Sequence, residues 1–514
     1  MVYETNQPEH PSFLNYLFKI PANKKIIIFS LIAAFVQFSA FKYYYPYASY
    51  IHGDSFVYIE SAYNNESIST YMVGYSMFLR LLSVFSTSDT ILTSIQYFLI
   101  EGTSLFLLFT IFYFYRIGKI IRLFLIVFAV INPLFLILAN MVSSDPYFYA
   151  LSMIWVTLLV WILNRPRFKI AVWHAIILFI AFTVRYNSLI YIPISIVCFM
   201  FSVWANWKKI VSLAFAAILI GLFVLNTGTK YKQLTGHWQY SPFSGWQMAN
   251  NAMYAYRYVD SADRKDVPTR FQNLDLRIRQ YFDRTRDTKK FIFETLMANT
   301  LYMWSPPTPL YTYRNSLFKK DSSATEFKKW ASMGPLYNEY GWYIIRKYPG
   351  YFARYFLWPN ANKYFAPPLE FLGTYNSGHN TVDSTTMKWF RYNTTIVKTR
   401  THSISYSILG YYPILSGALN MVMLLSLIFY FSIAGFKSSG RIHKWIFLSS
   451  SIWILNAMFT IFASSAALRF QTFPIILTMI SNAILIDWMI TAIGATSKET
   501  TSQELKNSII NYNK

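Results

Sequence analysis

Residues 119–141 read KIIRLFLIVFAVINPLFLILANM, and this stretch indicates the fold class. Apolar side chains fill most of it, and the polar or charged groups belong to Lys119, Arg122, Asn132 and Asn140. A helix needs roughly 20 mostly apolar residues to cross the hydrocarbon core of a bilayer. The stretch therefore predicts a membrane-spanning helix with two cations near one end.

Runs of the same kind recur along the chain. Together they predict an α-helical polytopic membrane protein, a bundle of about ten transmembrane helices. The fifth run is short and ends at Arg185, so it is either tilted or fused with its neighbour. The runs cover residues 25–45, 88–114, 119–141, 147–164, 170–184, 186–205 and 209–227 before a long polar stretch, and 411–436, 444–463 and 469–492 after it.

The composition agrees with this fold class. Hydrophobic residues make up 54% of the 514 residues and charged residues only 13%, against roughly 25% charged residues in soluble domains. Aromatic residues reach 20% and cluster where apolar runs meet polar ones. Because Tyr and Trp favour the interface between bilayer and water, the chain is expected to be embedded in a membrane.

The net charge and the cysteine and histidine content limit the binding partners, disulfides and metal sites that can be expected. The net charge is +23, but the basic residues are scattered between apolar runs and no nucleic-acid motif accompanies them. Membrane lipids with anionic headgroups are therefore expected, and nucleic acid is not. The single cysteine, Cys198, allows no disulfide within the chain. The seven histidines lack zinc-ligand spacing, so no metal-binding residue is assigned.

The short basic loops predict the orientation, because Lys and Arg concentrate in short cytoplasmic loops. With a cytoplasmic amino terminus, the basic connections on the cytoplasmic side are 116–122, 165–169, 208–209 and 437–444. The predicted parts of the chain are a cytoplasmic segment 1–24, a transmembrane catalytic module 25–227 with an outer loop 46–87, a mostly helical extracytoplasmic domain 228–410 with a charged helical stretch at 260–290, C-terminal transmembrane helices 411–492 and a cytoplasmic tail 493–514.

The first predicted outer loop carries the most informative motif. It reads HGDSFVYIESA at 52–62 and YMVGYSMFLRLL at 71–82. Asp54 and Tyr58 have helical spacing, so a short helix would present them on one side. The second stretch has the pattern of an amphipathic helix lying on the membrane, with Arg80 at the depth of the headgroups.

Further charged residues stand at predicted outer helix ends. Asp145 precedes Pro146 and opens the fourth run, where it either acts in a site or simply caps the helix. Arg185 and Arg469 end the fifth run and open the last one. Arginines at such positions either snorkel to lipid headgroups or bind phosphate.

These motifs resemble the polyprenyl-phosphate-sugar-dependent glycosyltransferases of the GT-C fold, the family 39-like enzymes that include protein O-mannosyltransferases and lipid A aminoarabinose transferases. Their pattern is an Asp after the first span, a Tyr four residues on, a small residue, and a Gly-Tyr-x-x-Phe-Leu surface helix. Asp54, Tyr58, Ala62 and the stretch 74–79 match it, while Ser55 stands where several branches have Glu. The acidic residue before Pro146 and the two arginines at helix ends are similar to further features of the family.

The resemblance implies an inverting transfer of a sugar from a polyprenyl-phosphate donor to lipopolysaccharide, lipid A, another glycan or a protein. It places the site on the outer, extracytoplasmic face of the membrane. The absence of disulfides and the short basic loops suit a bacterial inner membrane that the chain crosses several times, so this face is expected to be periplasmic. Asp54 is the expected general base, and Asp145 orients the acceptor or shares that work. The residues expected to bind substrate are Tyr58, Arg80, Arg185, Arg354 and Arg469. No cofactor is certain, and His52 beside Asp54 leaves a divalent metal open.

Two other classes compete with the transferase. A transporter or flippase of a lipid-linked glycan needs charged residues near the middle of the bilayer and paired broken helices. Glu101 is the main charge of that kind, while the other suspicious charges lie at predicted outer helix ends. That distribution favours an active site at the membrane surface. A non-catalytic envelope assembly protein would keep the spans but would not need Asp54 and Asp145 on the same side.

Overall fold

The computed structural model describes residues 12–512 except 288, 293, 295–299, 402–403, 433–434, 436–439 and 464–465. Within these residues the regular structure is helical. The β pairing recorded there is limited to three isolated bridges, Ser49 with Met141, Thr374 with Ser405 and Thr381 with Ile396.

The apolar runs fold into helices, which confirms the prediction of an α-helical, multi-pass membrane protein. Besides the eight long helices named below, the structure has two shorter apolar helices, Phe168–Val184 and Tyr186–Phe201. The first of these two contains the fifth predicted run. In the described part of the chain, eight helices are long and apolar enough to cross a membrane: Pro21–Tyr44, Asp89–Phe114, Lys119–Ala139, Ser144–Asn164, Asn206–Thr235, Ser407–Ser432, Ile442–Ala463 and Leu468–Thr491.

Proline divides the stretch with which the sequence analysis began. The helix Lys119–Val130 ends before Asn132-Pro133, and a second helix, Pro133–Ala139, begins there. The N–H groups in the first turn of a helix have no hydrogen-bond partner within the helix. Proline, which lacks an N–H, therefore loses no hydrogen bond there. The Asn132 side-chain oxygen accepts the Leu134 N–H at 3.0 Å and caps the second helix. The predicted span therefore consists of two consecutive helices, and the break between them is capped by Asn132.

Shorter elements join and cover these helices. The predicted helix over 260–290 is confined to Gln272–Thr285, because Pro268 lies in the way and residues 261–263 and 269–271 form single 3-10 turns. The remaining helices are Phe13–Phe18, Asp54–Tyr63, Gly74–Ser83, Pro242–Tyr256, Leu301–Trp304, Pro309–Leu317, Glu326–Ser332, Gly334–Lys347, Pro349–Phe352, Trp358–Phe365 and Ser384–Trp389, with a π-helical turn at Ala353–Leu357.

A separate core holds residues 231–356, called the polar domain below. Its buried side chains, among them Trp246, Tyr254 and Tyr337, form a cluster distinct from that of the spans. At its centre the helix Pro242–Tyr256 crosses the helix Gly334–Lys347. A Cβ on Gly341 would lie 2.5 Å from the Met248 carbonyl carbon, so only glycine permits this approach.

The connecting segment, residues 369–409, packs on the spans instead. Its Leu372, Tyr375 and Val382 belong to the core of the spans. It is also bonded to the chain that follows the first span: the Asn376 N–H donates to the Ser49 hydroxyl at 2.9 Å. The predicted domain 228–410 therefore consists of two parts, and one of them covers the first loop.

Candidate functional site

Four charged side chains from distant parts of the chain meet at one end of the helix bundle. Asp54 opens the helix Asp54–Tyr63. Asp145 lies in the first turn of Ser144–Asn164, Arg185 follows Phe168–Val184, and Arg469 lies in the first turn of the last helix. Asp54 and Arg469 are 415 positions apart. Helix ends thus bring together the four residues, which are called the charge cluster below.

Arg469 links the two carboxylates of the charge cluster. Its Nη1 donates to Asp54 Oδ2 at 3.0 Å and lies 3.4 Å from Asp145 Oδ2. Arg185 Nη1 forms an ion pair with Asp145 Oδ1. Asp145 is therefore bound by both guanidinium groups, whereas Asp54 contacts only one of them. Glu370 of the connecting segment adds a negative charge that acts on Arg469.

The two carboxylates differ in exposure. The Asp145 side chain is 1% exposed and the Asp54 side chain 25%. A buried charge is tolerated only when it is paired and hydrogen-bonded, and Asp145 meets that requirement. Asp54 is the carboxylate that a substrate can approach, and Asp145 holds the two arginines in place.

Ser143, not Asp145, caps the fourth predicted span. The Ser143 hydroxyl accepts the Asp145 N–H at 3.4 Å and donates to Asp145 Oδ2 at 3.0 Å. Capping as the sole role of Asp145 is therefore wrong. Its carboxylate lies in the first helical turn, where the helix dipole favours a negative charge.

Two tyrosines complete the hydrogen bonding around the charge cluster. The Tyr71 hydroxyl donates to Asp54 Oδ1 at 2.7 Å. The Tyr58 hydroxyl lies 3.0 Å from the Ser144 hydroxyl, which is 3.5 Å from Arg185 Nη1. Burial raises the pKa of Tyr58 and, together with the negative charge of Asp54, that of Tyr71, so both hydroxyls stay protonated. Tyr58 thus reaches the site through Ser144, while Tyr71 fixes the orientation of Asp54.

Aromatic rings hold the guanidinium groups. Arg185 and Arg469 lie 4.4 Å and 4.3 Å from the centre of the Phe470 ring. Such contacts are favourable for a cation and leave the in-plane N–H groups free to donate. Pro474, in the same helix, lacks the N–H that would otherwise bond the Phe470 carbonyl.

A small cavity borders the charge cluster. Asp145, Arg185, Asn187 and Arg469 are among the residues that line it. Its volume is about 20 Å³, which is room for about one water molecule. A sugar phosphate is far larger, so a ligand of that kind enters only if the side chains of the cluster move apart.

Two predicted substrate residues lie elsewhere. Arg80 donates to the Ala62 carbonyl at 3.1 Å and so ties the helix Gly74–Ser83 to the end of the helix Asp54–Tyr63. Arg354 is exposed on the π-helical turn, with its guanidinium 5.3 Å from the Tyr355 ring centre. Among the described residues, neither side chain has a recorded bond to the charge cluster.

His52 lies against a second histidine. Its ring stacks on that of His379 of the connecting segment, with the centres 4.2 Å apart. Burial and the neighbouring His379 lower the pKa of His52. In the part of the chain that the structure describes, no three His, Cys, Asp or Glu side chains are grouped as metal ligands.

The charge cluster combines two chemical capacities. A partly exposed carboxylate can accept a proton from a hydroxyl group, and paired guanidinium groups can bind a phosphate. Sequence reasoning selected the four charged residues and Tyr58 but not Tyr71, which stands 17 positions from Asp54. No protein-family model matches this chain, and neither a curated protein nor a solved structure is significantly similar to it.

Proposed function

We propose that this chain is a membrane glycosyltransferase that moves a sugar from a polyprenyl-phosphate-linked donor to an acceptor of the cell envelope. The acceptor is lipopolysaccharide, lipid A, another glycan or a protein. The observation that supports the proposal most is the charge cluster: Asp54 is accessible beside Arg469, and Asp145 holds both Arg469 and Arg185. A base next to two phosphate-binding groups is what such a transfer requires.

In the proposed reaction Asp54 takes the proton of the acceptor hydroxyl. The hydroxyl oxygen forms a bond to the anomeric carbon while the bond from that carbon to the phosphate oxygen breaks. The polyprenyl phosphate leaves with the electron pair, and Arg185 and Arg469 offset its charge. Binding of the donor phosphate replaces the contact of Arg469 with Asp54, which frees the carboxylate to act as a base. Tyr71 keeps Asp54 oriented.

The helix Gly74–Ser83 supports a position at the membrane surface. Leu81, Val84 and Phe85, at and just after its end, are 61%, 76% and 82% exposed. Such an apolar patch on an amphipathic helix is typical of a segment that lies in the bilayer interface. There it would adjoin the lipid tail of the donor, on the periplasmic face of the inner membrane.

Both short apolar helices cross the membrane in this proposal, which gives the GT-C-like bundle ten spans. Phe168–Val184 would rise about 25 Å, slightly less than the roughly 30 Å hydrocarbon core. Its last residue precedes Arg185 of the charge cluster. Because the two helices are consecutive, they add an even number of crossings and leave every other helix on its predicted side.

A transfer assay tests the proposal. Membranes with equal amounts of wild type, Asp54→Asn or Asp145→Asn would receive a panel of radiolabelled polyprenyl-phosphate sugars and envelope extract as acceptor. With wild-type membranes, we expect one donor of the panel to label the acceptor. With either variant, we expect no labelling from that donor. No labelling from any donor would contradict the proposal.

A flippase of a lipid-linked glycan is the second candidate, and Glu101 favours it. This carboxyl group is 4% exposed within the span Asp89–Phe114, and acidic residues inside a membrane are usually functional. A flippase would move the labelled donor across proteoliposomes without labelling any acceptor. For a flippase, the Glu101→Gln variant would lose this movement of the donor, and the Asp54→Asn variant would keep it.

A further inference from the structure

The polar domain carries a second candidate site, away from the charge cluster. A cleft of about 450 Å³ lies between residues 268–271 and the helix Gly334–Lys347. Sites for small ligands commonly have volumes of about 300–1,000 Å³. The cleft is therefore large enough for one or two sugar units.

One face of the helix Gly334–Lys347 lines this cleft. Glu339, Trp342, Tyr343 and Arg346 follow one another at helical spacing and border the cavity. The opposite face, which includes Tyr340, Gly341 and Ile344, is buried in the polar domain. Since packing fixes the buried face, the lining face has a defined direction.

Cations outnumber carboxylates in the cleft. Arg270 forms an ion pair with Glu339. Arg346 and Lys347 also line the cleft, and neither is in an ion pair among the described residues. Two of the basic groups of the cleft can therefore bind an anion without first breaking a contact with a carboxylate.

Aromatic rings accompany these two cations. The Arg346 guanidinium lies 5.4 Å from the Trp342 ring centre, and the Lys347 ammonium lies 5.8 Å from that of Tyr343. Ring contacts orient the cations while their N–H groups stay available to donate. Trp342 and Tyr343 also offer apolar surface on which a sugar ring can pack, with hydroxyl groups still hydrated.

The cleft lies close to the helix bundle. The Trp342 ring centre is 5.6 Å from that of Phe462, near the end of the helix Gly440–Ala463. The Phe462 carbonyl in turn accepts a bond from the Asn251 amide at 3.1 Å. A ligand in the cleft is thus within reach of the end of a span.

From these contacts we infer that the cleft binds an anionic carbohydrate, such as a phosphorylated glycan. The inference rests on the proposed function, because it names the class of acceptor that the polar domain binds. Arg346 and Lys347 bind the anionic group, and Trp342 packs against a sugar ring. The carbohydrate is either free or the headgroup of a glycolipid, since both present the same chemistry.

Binding to the purified full-length protein tests this inference without any transfer reaction. The probes are mannopentaose 6-phosphate and unphosphorylated mannopentaose. We expect the phosphorylated probe to bind about fivefold more tightly or better, as an exposed pair of charge-assisted contacts allows. In the double variant Arg346→Gln/Lys347→Gln that preference is lost. The control Lys319→Gln/Lys320→Gln changes two exposed cations that do not line the cleft, and it keeps the preference.

Nanodiscs that contain phosphatidylinositol 4-phosphate, compared with phosphatidylinositol alone, distinguish the two sources. If the nanodiscs with phosphatidylinositol 4-phosphate displace mannopentaose 6-phosphate from the protein, the ligand is a lipid headgroup. If they do not displace it, the ligand is a free glycan. Equal binding of the two mannopentaoses, or a double variant that binds like the wild type, would overturn the inference. Such a result would not change the outcome of the sugar-transfer assay. Conversely, if sugar transfer fails, binding of the mannopentaose probes can still be measured, so the two failures are distinguishable.

Discussion

The charge cluster and the cleft of the polar domain both combine arginine with aromatic rings, but their charges are arranged differently. In the cluster both arginines are paired with carboxylates, and the side chains of Asp145 and Arg469 are at least nine-tenths buried. In the cleft Arg346 and Lys347 are exposed and lie over aromatic rings. Because unpaired charge is costly away from water, the cluster needs its own counter-charges, whereas the cleft leaves Arg346 and Lys347 free for a ligand.

The largest effect is expected at Arg469, which both carboxylates of the cluster share. Arg469→Met leaves Asp145 with one guanidinium partner and Asp54 with none, so the free energy of unfolding falls by about 3–5 kcal/mol. Chemical unfolding in detergent measures the change. Arg354→Met, an exposed arginine on the polar domain, is the matched control and has little effect. Equal stabilities of the two variants would show that the ion pairs of the cluster do not hold the bundle together.

Asp145→Asn sharpens the comparison within the cluster. The amide keeps the shape of the side chain but leaves Arg185 and Arg469 with weaker partners, so we expect a loss of about 2–3 kcal/mol in unfolding free energy. Asp54→Asn lowers it by clearly less, because this carboxylate is 25% exposed. A larger loss at Asp54 than at Asp145 would reverse the roles assigned to the two residues.

Gly341→Ala tests the packing that supports the cleft. The added methyl group meets the backbone of Met248, so a loss of about 1–3 kcal/mol is expected. Gly350→Ala is the control, since its Cβ would meet nothing within 4 Å. Binding of mannopentaose 6-phosphate should weaken in the first variant alone. If both variants unfold alike, the close crossing of the two helices is not required.

Tyr71→Phe has the smallest expected effect. It removes the hydrogen bond to Asp54 and leaves the ring in place, which costs about 1 kcal/mol of unfolding free energy. Sugar transfer should fall by roughly tenfold, because Asp54 loses the contact that orients it. The initial rate of acceptor labelling measures this. Phe243→Leu removes ring contacts with Tyr71, Tyr186 and Trp304 but keeps the hydrogen bond from Tyr71 to Asp54, so it should leave the rate closer to that of the wild type.

Local signals in the sequence were enough to predict the helical membrane fold and the charged residues of the cluster. The length of an apolar run determines whether a helix can span a bilayer, and a charge at the end of such a run stands out. Asp145, Arg185 and Arg469 were found in this way, whereas Asp54 was found from its spacing with Tyr58 in the first outer loop.

Contacts between distant segments could not be predicted in the same way. Tyr71 lies in the bend before the helix Gly74–Ser83 and meets Asp54 only because this segment folds against the helix Asp54–Tyr63. Its neighbours in sequence look like any amphipathic stretch. The packing of His379 on His52 and the division of residues 228–410 depend on tertiary structure. Arg80 and Arg354 have the residue type and the local sequence of a phosphate ligand, but the fold gives them other contacts.

The most direct test of the account compares sugar transfer by Asp54→Asn and Glu60→Gln at equal protein levels. Both acids lie on the helix Asp54–Tyr63, and Glu60 is exposed. Loss of a general base typically slows a reaction by about 10²–10⁴-fold, so we predict that decrease for Asp54→Asn and a nearly unchanged rate for Glu60→Gln. Equal rates in the two variants, with both proteins folded, would contradict the assignment of Asp54 as the base.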